Sequence, residues 1–579
     1  MRRGWLAVGI AAVLAASAAR AALPPEIANA GVTESAWTAV QAQVRRSAAE
    51  KSVSVLALDA VCLKMGIELA KGRHLDLNQL ISLIDGRADE IVALNRQLAT
   101  EASQSGGAAA SLLKQANAAI DAGELDQAHA LLRQAHDAAK GSVEDAQKRA
   151  AGITATDAEV LAAQLDYLGA ASEYAEAAGE LPPSDAKDRW TYAMAQADFL
   201  ARRGELFDEP QPLHDAISVY RDVAVSLAPR ATSPAEWALT EDGLGAALER
   251  LGERGDVEAM NEAVAAYRAA LEVRTRDRDP SGWAATQNNL GTALSMLGAG
   301  GDNQALKDAV TAFRAVLEVR PRDRDPIGWA ETQNNLGRVL ETLGEHGDDQ
   351  ALKDAIAAYR AALQVRTRER DPRRWAMTQA NLGLALKILG ERGDDPASKE
   401  AVVVIRAALE VRTRERDPAG WAMTQDILGA ALMALGQRGD DQAVQDAITA
   451  YRAALEVRTR ERDPTGWAST QENIGSALES LGERGTEQQL KDAVAAYRAA
   501  LEVLTRDRFP AYWAITQLNL TVALERLGER GDEQALHDAV IAGRSALEVL
   551  TPAEYPAYVK NVSDNLARAD AALAKRRHP

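Results

Sequence analysis

The sequence predicts an all-α protein, a right-handed superhelix of αα-hairpins preceded by a helical N-terminal region, and three observations carry that expectation. Trp237, Trp283, Trp329, Trp375, Trp421, Trp467 and Trp513 follow one another at intervals of 46 residues, and Trp190 precedes the first by 47. A fixed period of that length marks stacked supersecondary units, none able to bury its apolar face alone. Alanine, leucine, arginine and glutamate dominate while aromatic residues make up only 4% of the chain, a composition that favours helix over sheet. Glycine recurs at the turn inside the long units, from Gly255 to Gly531 at intervals of 46. A chain of 579 residues exceeds what one globular core supports, but a stacked array grows by adding units.

The chain opens with Met1-Arg2-Arg3, the apolar stretch from Trp5 to Ala16, and Ala19-Arg20-Ala21 before Ala22. A positive start, a short apolar core and an A-x-A site predict a secretory signal peptide over residues 1–21 and a soluble, periplasmic or secreted product. Left uncleaved, the same segment would tether the array to the membrane. Cys62 is the single cysteine, so no intrachain disulfide can form, and it reads as a buried apolar residue. Residues 22–104 are helical but aperiodic, with Leu77, Leu80, Ile81 and Ile84 at i, i+3, i+4 and i+7. Ser103 to Ala110 reads as a small-residue linker. Two short units follow over 111–185, eight long ones over 186–553, and a polar capping helix over 554–579, in which Val559 replaces the tryptophan.

Each long unit resolves into two helices. Asp325 can cap the first, with Pro326 at the first helical position, where its missing N–H costs nothing, and Gly344 and Gly347 end it. Asp348 or Asp349 opens the second, which carries Leu352, Ile356, Tyr359, Ala362 and Leu363 on one face. Arg314 and Glu318, with their equivalents, are spaced as an i, i+4 ion pair worth roughly 0.2–0.5 kcal/mol. The run from Arg366 to Asp371 alternates arginine with acid and reads as solvated surface charge. With a net charge of −18, it argues against a nucleic-acid partner.

Trp329-x6-Leu336-Gly337, followed by Ala355, Tyr359 and Ala362, resembles the tetratricopeptide signature, with Pro321 at the family's terminal proline position. Two six-residue extensions, one between the helices and one between units, lengthen the family's usual 34-residue unit to 46. Such long units, with N-N-L on the first helix, are most similar to the kinesin-light-chain type. The resemblance implies a tetratricopeptide solenoid whose first helices face a concave groove. It places there the residues six positions after each tryptophan: Asn289, Asn335, Asn381, Asn473 and Asn519, with Gly243 and Ile427 as exceptions. In the family, asparagines at this position hold peptide backbones, and an amide offers both donor and acceptor for that task. Bridging between neighbouring helices is the other reading of the same ladder. The lysines of the carboxylate clamp are missing from the corresponding positions, which carry Glu331, Met377 and Met423 two residues after tryptophan and Asn334, Ala380 and Asp426 five after it.

The middle of the groove wall is apolar: Met377, Leu384 and Ile388 are followed one unit later by Met423, Ile427, Ala430 and Met433, whereas Glu331, Arg338 and Glu341 stand in the unit before. An apolar patch in a groove suits a partner's side chains, and methionine adapts to varied shapes; coverage by the protein itself is the alternative. The tryptophans recur identically while the groove positions vary, so they are expected to pack each hairpin onto the previous one. The seven histidines are scattered. His129 and His136 share a helix face but sit roughly 10 Å apart along it, so one helix cannot bring them to one metal. Phosphate loop, nucleophile elbow and zinc-ligand spacing are all missing, and no metal or cofactor is expected. The expected function is an exported, non-enzymatic scaffold or adaptor that binds a protein or peptide in its groove. A structural spacer that self-associates or spans an envelope complex without capturing a peptide is the competing class.

Overall fold

The computed structural model describes residues 23–24, 27–28, 32–70, 77–105, 107–139, 144–553 and 555–577. The leader expected over 1–21 lies outside them. Among the described residues there are helices and no strands, and none of these helices is long and apolar enough to cross a membrane. The chain divides into two compact units, Met1–Asp308 and Ala309–Pro579, and the division falls inside the helix Asn303–Val319.

In the first unit, helix α1 (Glu34–Lys51), α2 (Val55–Ala70) and α3 (Leu77–Gln104) form an N-terminal group in which α3 packs on both others and on α4 (Gly107–Asp121) and α6 (Glu144–Ala163). The expected linker at 103–110 shrinks accordingly: helix runs to Gln104 and resumes at Gly107, whose positive φ of 59° turns the chain. Ala108 to Ala110, read as linker, are strong helix formers and join α4. From there the helices pair as antiparallel hairpins: α4 with α5 (Leu125–Ala139), α6 with α7 (Tyr167–Glu180), α8 (Ala186–Phe207) with α9 (Pro210–Ser226), and α10 (Pro234–Gly252) with α11 (Val257–Leu271).

The second unit continues the pattern with α14 (Pro326–Glu345) on α15 (Asp349–Leu363), α16 (Pro372–Glu391) on α17 (Asp395–Leu409), α18 (Pro418–Gly436) on α19 (Asp441–Leu455), α20 (Pro464–Arg484) on α21 (Glu487–Leu501) and α22 (Pro510–Glu529) on α23 (Glu533–Leu547). The last helix, α24 (Pro556–Arg577), packs on both α22 and α23. This is the tetratricopeptide type of solenoid. Adjacent first helices touch, α14 on α16 and α16 on α18, whereas the second helices make no comparable contact with one another. The layer of first helices in this unit is therefore the more tightly spaced, and it forms the unit's inner wall.

Local sequence explains each boundary. Asp325, Asp371, Asp417 and Asp463 accept a hydrogen bond from the backbone N–H three residues on, with proline at the first helical position in every case. Asp348, rather than Asp349, caps α15, accepting from the N–H groups of Gln350 and Ala351. Gly347 turns the chain at φ 106°, but Gly344 does not end a helix. It lies inside α14, where a Cβ would come within 2.4 Å of Leu352 Cδ2, so its role is close packing of the hairpin. Gly337 does the same one level higher, a Cβ there meeting Tyr359 Cε1 at 2.6 Å, which gives the Leu-Gly signature its physical meaning.

The tryptophans of the long units are half-buried. Trp375 and Val411 pack against the buried cluster Ala376, Ala380 and Ala408, and Trp467 and Phe509 against Ala468, Ala500, Val503 and Leu504. Trp513 packs against a cluster that includes Val562 of the following helix, and Trp190 Nε1 donates to Thr240 Oγ1 of the next hairpin at 3.0 Å. The clusters of Trp375 and Trp467 thus lie within their own hairpins, while that of Trp513 extends to the following helix and Trp190 bonds to the following hairpin. An arginine from the preceding loop stacks on several of the rings, Arg368 over Trp375 at 5.8 Å and Arg230 over Trp237 at 4.9 Å.

Arginines also tie consecutive hairpins together. Arg314 reaches Asp354 at 3.2 Å, Arg360 reaches Glu400 at 2.6 Å and Arg498 reaches Asp538 at 2.8 Å, each 40 residues ahead. The i, i+4 spacing from Arg314 to Glu318 gave no sign of that partner. In the 366–371 run, Arg366 is not solvated at all: it is 6% exposed and its Nη1 donates to Thr378 Oγ1 at 3.1 Å.

Candidate functional site

The inner wall of the second unit is built from α14, α16, α18, α20 and α22, and the polar groups along it are largely spent on one another. Asn334 Oδ1 accepts from Thr378 Oγ1 at 3.1 Å and from Asn381 Nδ2 at 3.4 Å, across the boundary between α14 and α16. Farther along, Asn519 Nδ2 donates to Glu472 Oε1 at 3.2 Å, joining α22 to α20. In these two units the asparagine six residues after tryptophan bridges neighbouring helices. Asp426 is held differently, accepting from Thr470 Oγ1 at 3.0 Å and paired with Arg458. Asn473, which stands in the same register opposite Asp426, is half-buried on the wall. Asn335 is likewise half-buried, as is Asn289 on α12 (Pro280–Ala299) of the first unit.

Between α16 and α18 this polar latch is missing. Ala380 stands where its neighbours carry Asn334, Asp426 and Glu472, and Ile427 stands where they carry asparagine. The two helices pack on each other far more extensively than the first helices on either side do. Small and apolar groups permit that approach without a bridging polar pair. Ile388, placed by its sequence position on the groove wall, is 8% exposed and belongs to the core. Met377, Leu384, Ile427 and Met433 are half-buried, and Met423 is 40% exposed. The partly open apolar surface is therefore Met377, Leu384, Met423, Ile427 and Met433.

Twelve residues after tryptophan the flanking units carry half-buried carboxylates. Glu341 Oε2 accepts from the Tyr359 hydroxyl at 2.8 Å and Glu479 Oε2 from that of Tyr497 at 3.0 Å. Burial is the main cause that pushes Glu341 up to about 8 and Glu479 up to about 7, against the lowering effect of the tyrosine hydrogen bonds. Lys387 and Met433 occupy this position in the central pair of units, so carboxylates flank the apolar stretch on either side. The sequence held no hint of these pairs except tyrosine and glutamate recurring 18 residues apart.

The raised carboxyls set a direction of pH dependence. Folded chain keeps the Glu341 proton over a range in which unfolded chain, at its ordinary value of 4.5, has lost it. The resulting stabilisation is full below pH 4.5 and disappears as pH rises towards 8. Glu341→Gln keeps an oxygen for the Tyr359 hydroxyl and removes the titration. Thermal melts at about pH 5.5 and about pH 8.5 should differ by a few degrees less in the variant than in the parent; an unchanged difference would place the titration elsewhere.

Hairpins crossing at glycine and tyrosine, repeated in register, give the chain a tetratricopeptide-type repeat fold. No protein-family model matches the chain, and no curated protein does. Solved structures similar to it include the C-terminal part of a TPR repeat-containing protein from Cytophaga hutchinsonii, 15% identical over 54% of this chain and 95% of that one, TM-score 0.35. The APC/C hetero-tetramer Cut9–Hcn1 is 14% identical over 92% of this chain and 96% of that one, TM-score 0.36. The TPR2AB domain of yeast Sti1, in complex with pHSP90, is 17% identical over 57% and 98%, TM-score 0.19. Likeness at this level goes no further than the helical-hairpin architecture.

Proposed function

We propose that the protein is an exported, non-enzymatic adaptor that holds an extended or helical segment of a protein partner on the inner wall of its second unit. The observation that carries this reading is the break in the polar latch between α16 and α18, where Met423 is 40% exposed among half-buried Met377, Leu384, Ile427 and Met433. An apolar strip on a wall otherwise lined by paired polar groups suits the side chains of a partner, and methionines allow it to fit more than one shape. The half-buried amides of Asn335 and Asn473 flank the strip and supply donors and acceptors for a peptide backbone. A photo-crosslinking amino acid at position 423 should capture a discrete partner in cells expressing the protein, and the same group at Val403, exposed on α17, should not. Equal yields at the two positions would defeat this assignment.

Export rests on the charged start, short apolar core and Ala19-Arg20-Ala21 of the leader. The intact mass of protein recovered from expressing cells should correspond to a chain beginning at Ala22 or very near it. A cytoplasmic product that retains Met1-Arg2-Arg3 would contradict export.

A further inference from the structure

The geometry points to a second site, in the first unit and far in sequence from the strip: His136, Glu176 and Glu180 form a binding site for one divalent transition-metal ion, with Zn2+ the best match. Helix α5 presents His129, Arg133 and His136 along one face. Helices α6 and α7 meet that face with Thr154, Asp157, Glu173, Glu176 and Glu180. The donor atoms of His136, Glu176 and Glu180 all lie within 4.8 Å of one another.

The state of the imidazole is the second, independent observation. His136 is 3% exposed, and its Nε2 has no hydrogen-bond partner although Glu180 Oε1 is 3.2 Å away and Glu176 Oε1 4.0 Å away. Its other nitrogen, Nδ1, lies 2.7 Å from Thr154 Oγ1 and 3.4 Å from the Ala150 carbonyl. The Thr154 hydroxyl has two acceptors for its single proton, Ala150 O and Glu180 Oε2, each at 3.2 Å. Its lone pair is then left to accept from Nδ1–H. With Nδ1–H donating to that lone pair, the Nε2 lone pair is free to face a metal held by the two carboxylates, which is the tautomer and outer-shell support that a metal-binding histidine requires.

Charge and distance agree with that arrangement. Asp157, Glu173, Glu176 and Glu180 gather around His136 and His129, and Arg133 is drawn to Glu173 at 2.8 Å and Glu176 at 3.5 Å. His129 is hydrogen-bonded to Asp157 at 2.7 Å and stays off the site. Two ligands bonded to tetrahedral zinc at roughly 2.0–2.1 Å stand about 3.3–3.4 Å apart. The separation of His136 Nε2 from Glu180 already meets this, and Glu176 closes the remainder by a small movement, its side chain being 42% exposed. One imidazole with two carboxylates suits zinc, whereas Mg2+ and Ca2+ take oxygen ligands. Solvent beside Glu176 fills the fourth position and provides the route in.

Full-length mature protein, stripped with chelator and desalted, should bind one equivalent of ZnCl2 by calorimetry with micromolar or tighter affinity. Its thermal midpoint should rise with added zinc, and equimolar MgCl2 should not compete. X-ray absorption of the zinc-loaded chain should show one imidazole among light-atom ligands. Glu176→Gln, at an exposed position, should fold like the parent and bind at least tenfold more weakly; His136→Gln should abolish binding. Absence of zinc binding in the parent, or parental affinity in Glu176→Gln, would overturn the assignment.

Discussion

Trp375→Ala should destabilise its hairpin by about 2–3 kcal/mol, below the roughly 3–5 kcal/mol typical of a fully buried tryptophan because the ring is half-buried. What is lost is the packing of the ring on the cluster Ala376, Ala380 and Ala408 and the stacking of Arg368, which at 5.8 Å contributes little by itself. Arg368 retains its ion pair with Glu410 at 2.6 Å, so the loop stays anchored while the hairpin end opens. Stability in a stacked array is summed over nearest neighbours. Hydrogen exchange should therefore accelerate in α16, α17 and the start of α18 and stay unchanged in α22 and α23. Uniform acceleration across the second unit would show the ring to be part of one cooperative core, and no acceleration would remove it from the packing altogether.

That local result follows from the feature most legible in the sequence, the tryptophan period. The period, the Asp-Pro starts and the Leu-Gly-to-Tyr crossing are all contacts within one hairpin, where spacing along the chain maps directly onto spacing in the helix. Contacts between hairpins are not written that way. Arg314 with Asp354, and Asn381 with Asn334, join residues 40 and 47 apart, and only stacking of the units brings them together. For the same reason Arg366 was read as a solvated charge when it is buried, and Ile388 as groove wall when it is core. Gly344 misled differently: a glycine near a helix end invites a terminator role, but its missing Cβ accommodates Leu352. Of the asparagine ladder, the sequence held the register but not the partner. Whether the amide meets a peptide or a neighbouring helix depends on the residue five positions after the previous tryptophan, and a periodicity argument treats that residue as background.

The second large effect concerns the strip itself. Met423→Asp, alone and combined with Leu384→Asp, should reduce partner capture at least tenfold, a loss of about 1.4 kcal/mol or more in binding. An ionised carboxylate facing an apolar partner surface goes unpaired, and its desolvation opposes docking. The single variant is the cleaner test. Met423 is 40% exposed, so aspartate there remains hydrated in the free protein and should leave helical content and thermal midpoint nearly unchanged. Leu384 is half-buried beside Leu382 and Leu386, which are core, so the double variant carries some cost to folding as well. If Met423→Asp folds like the parent and still captures its partner with parental affinity, the strip serves only the packing of α16 on α18. If it folds like the parent and capture is lost, the missing polar latch between those helices is what opens the inner wall to a partner.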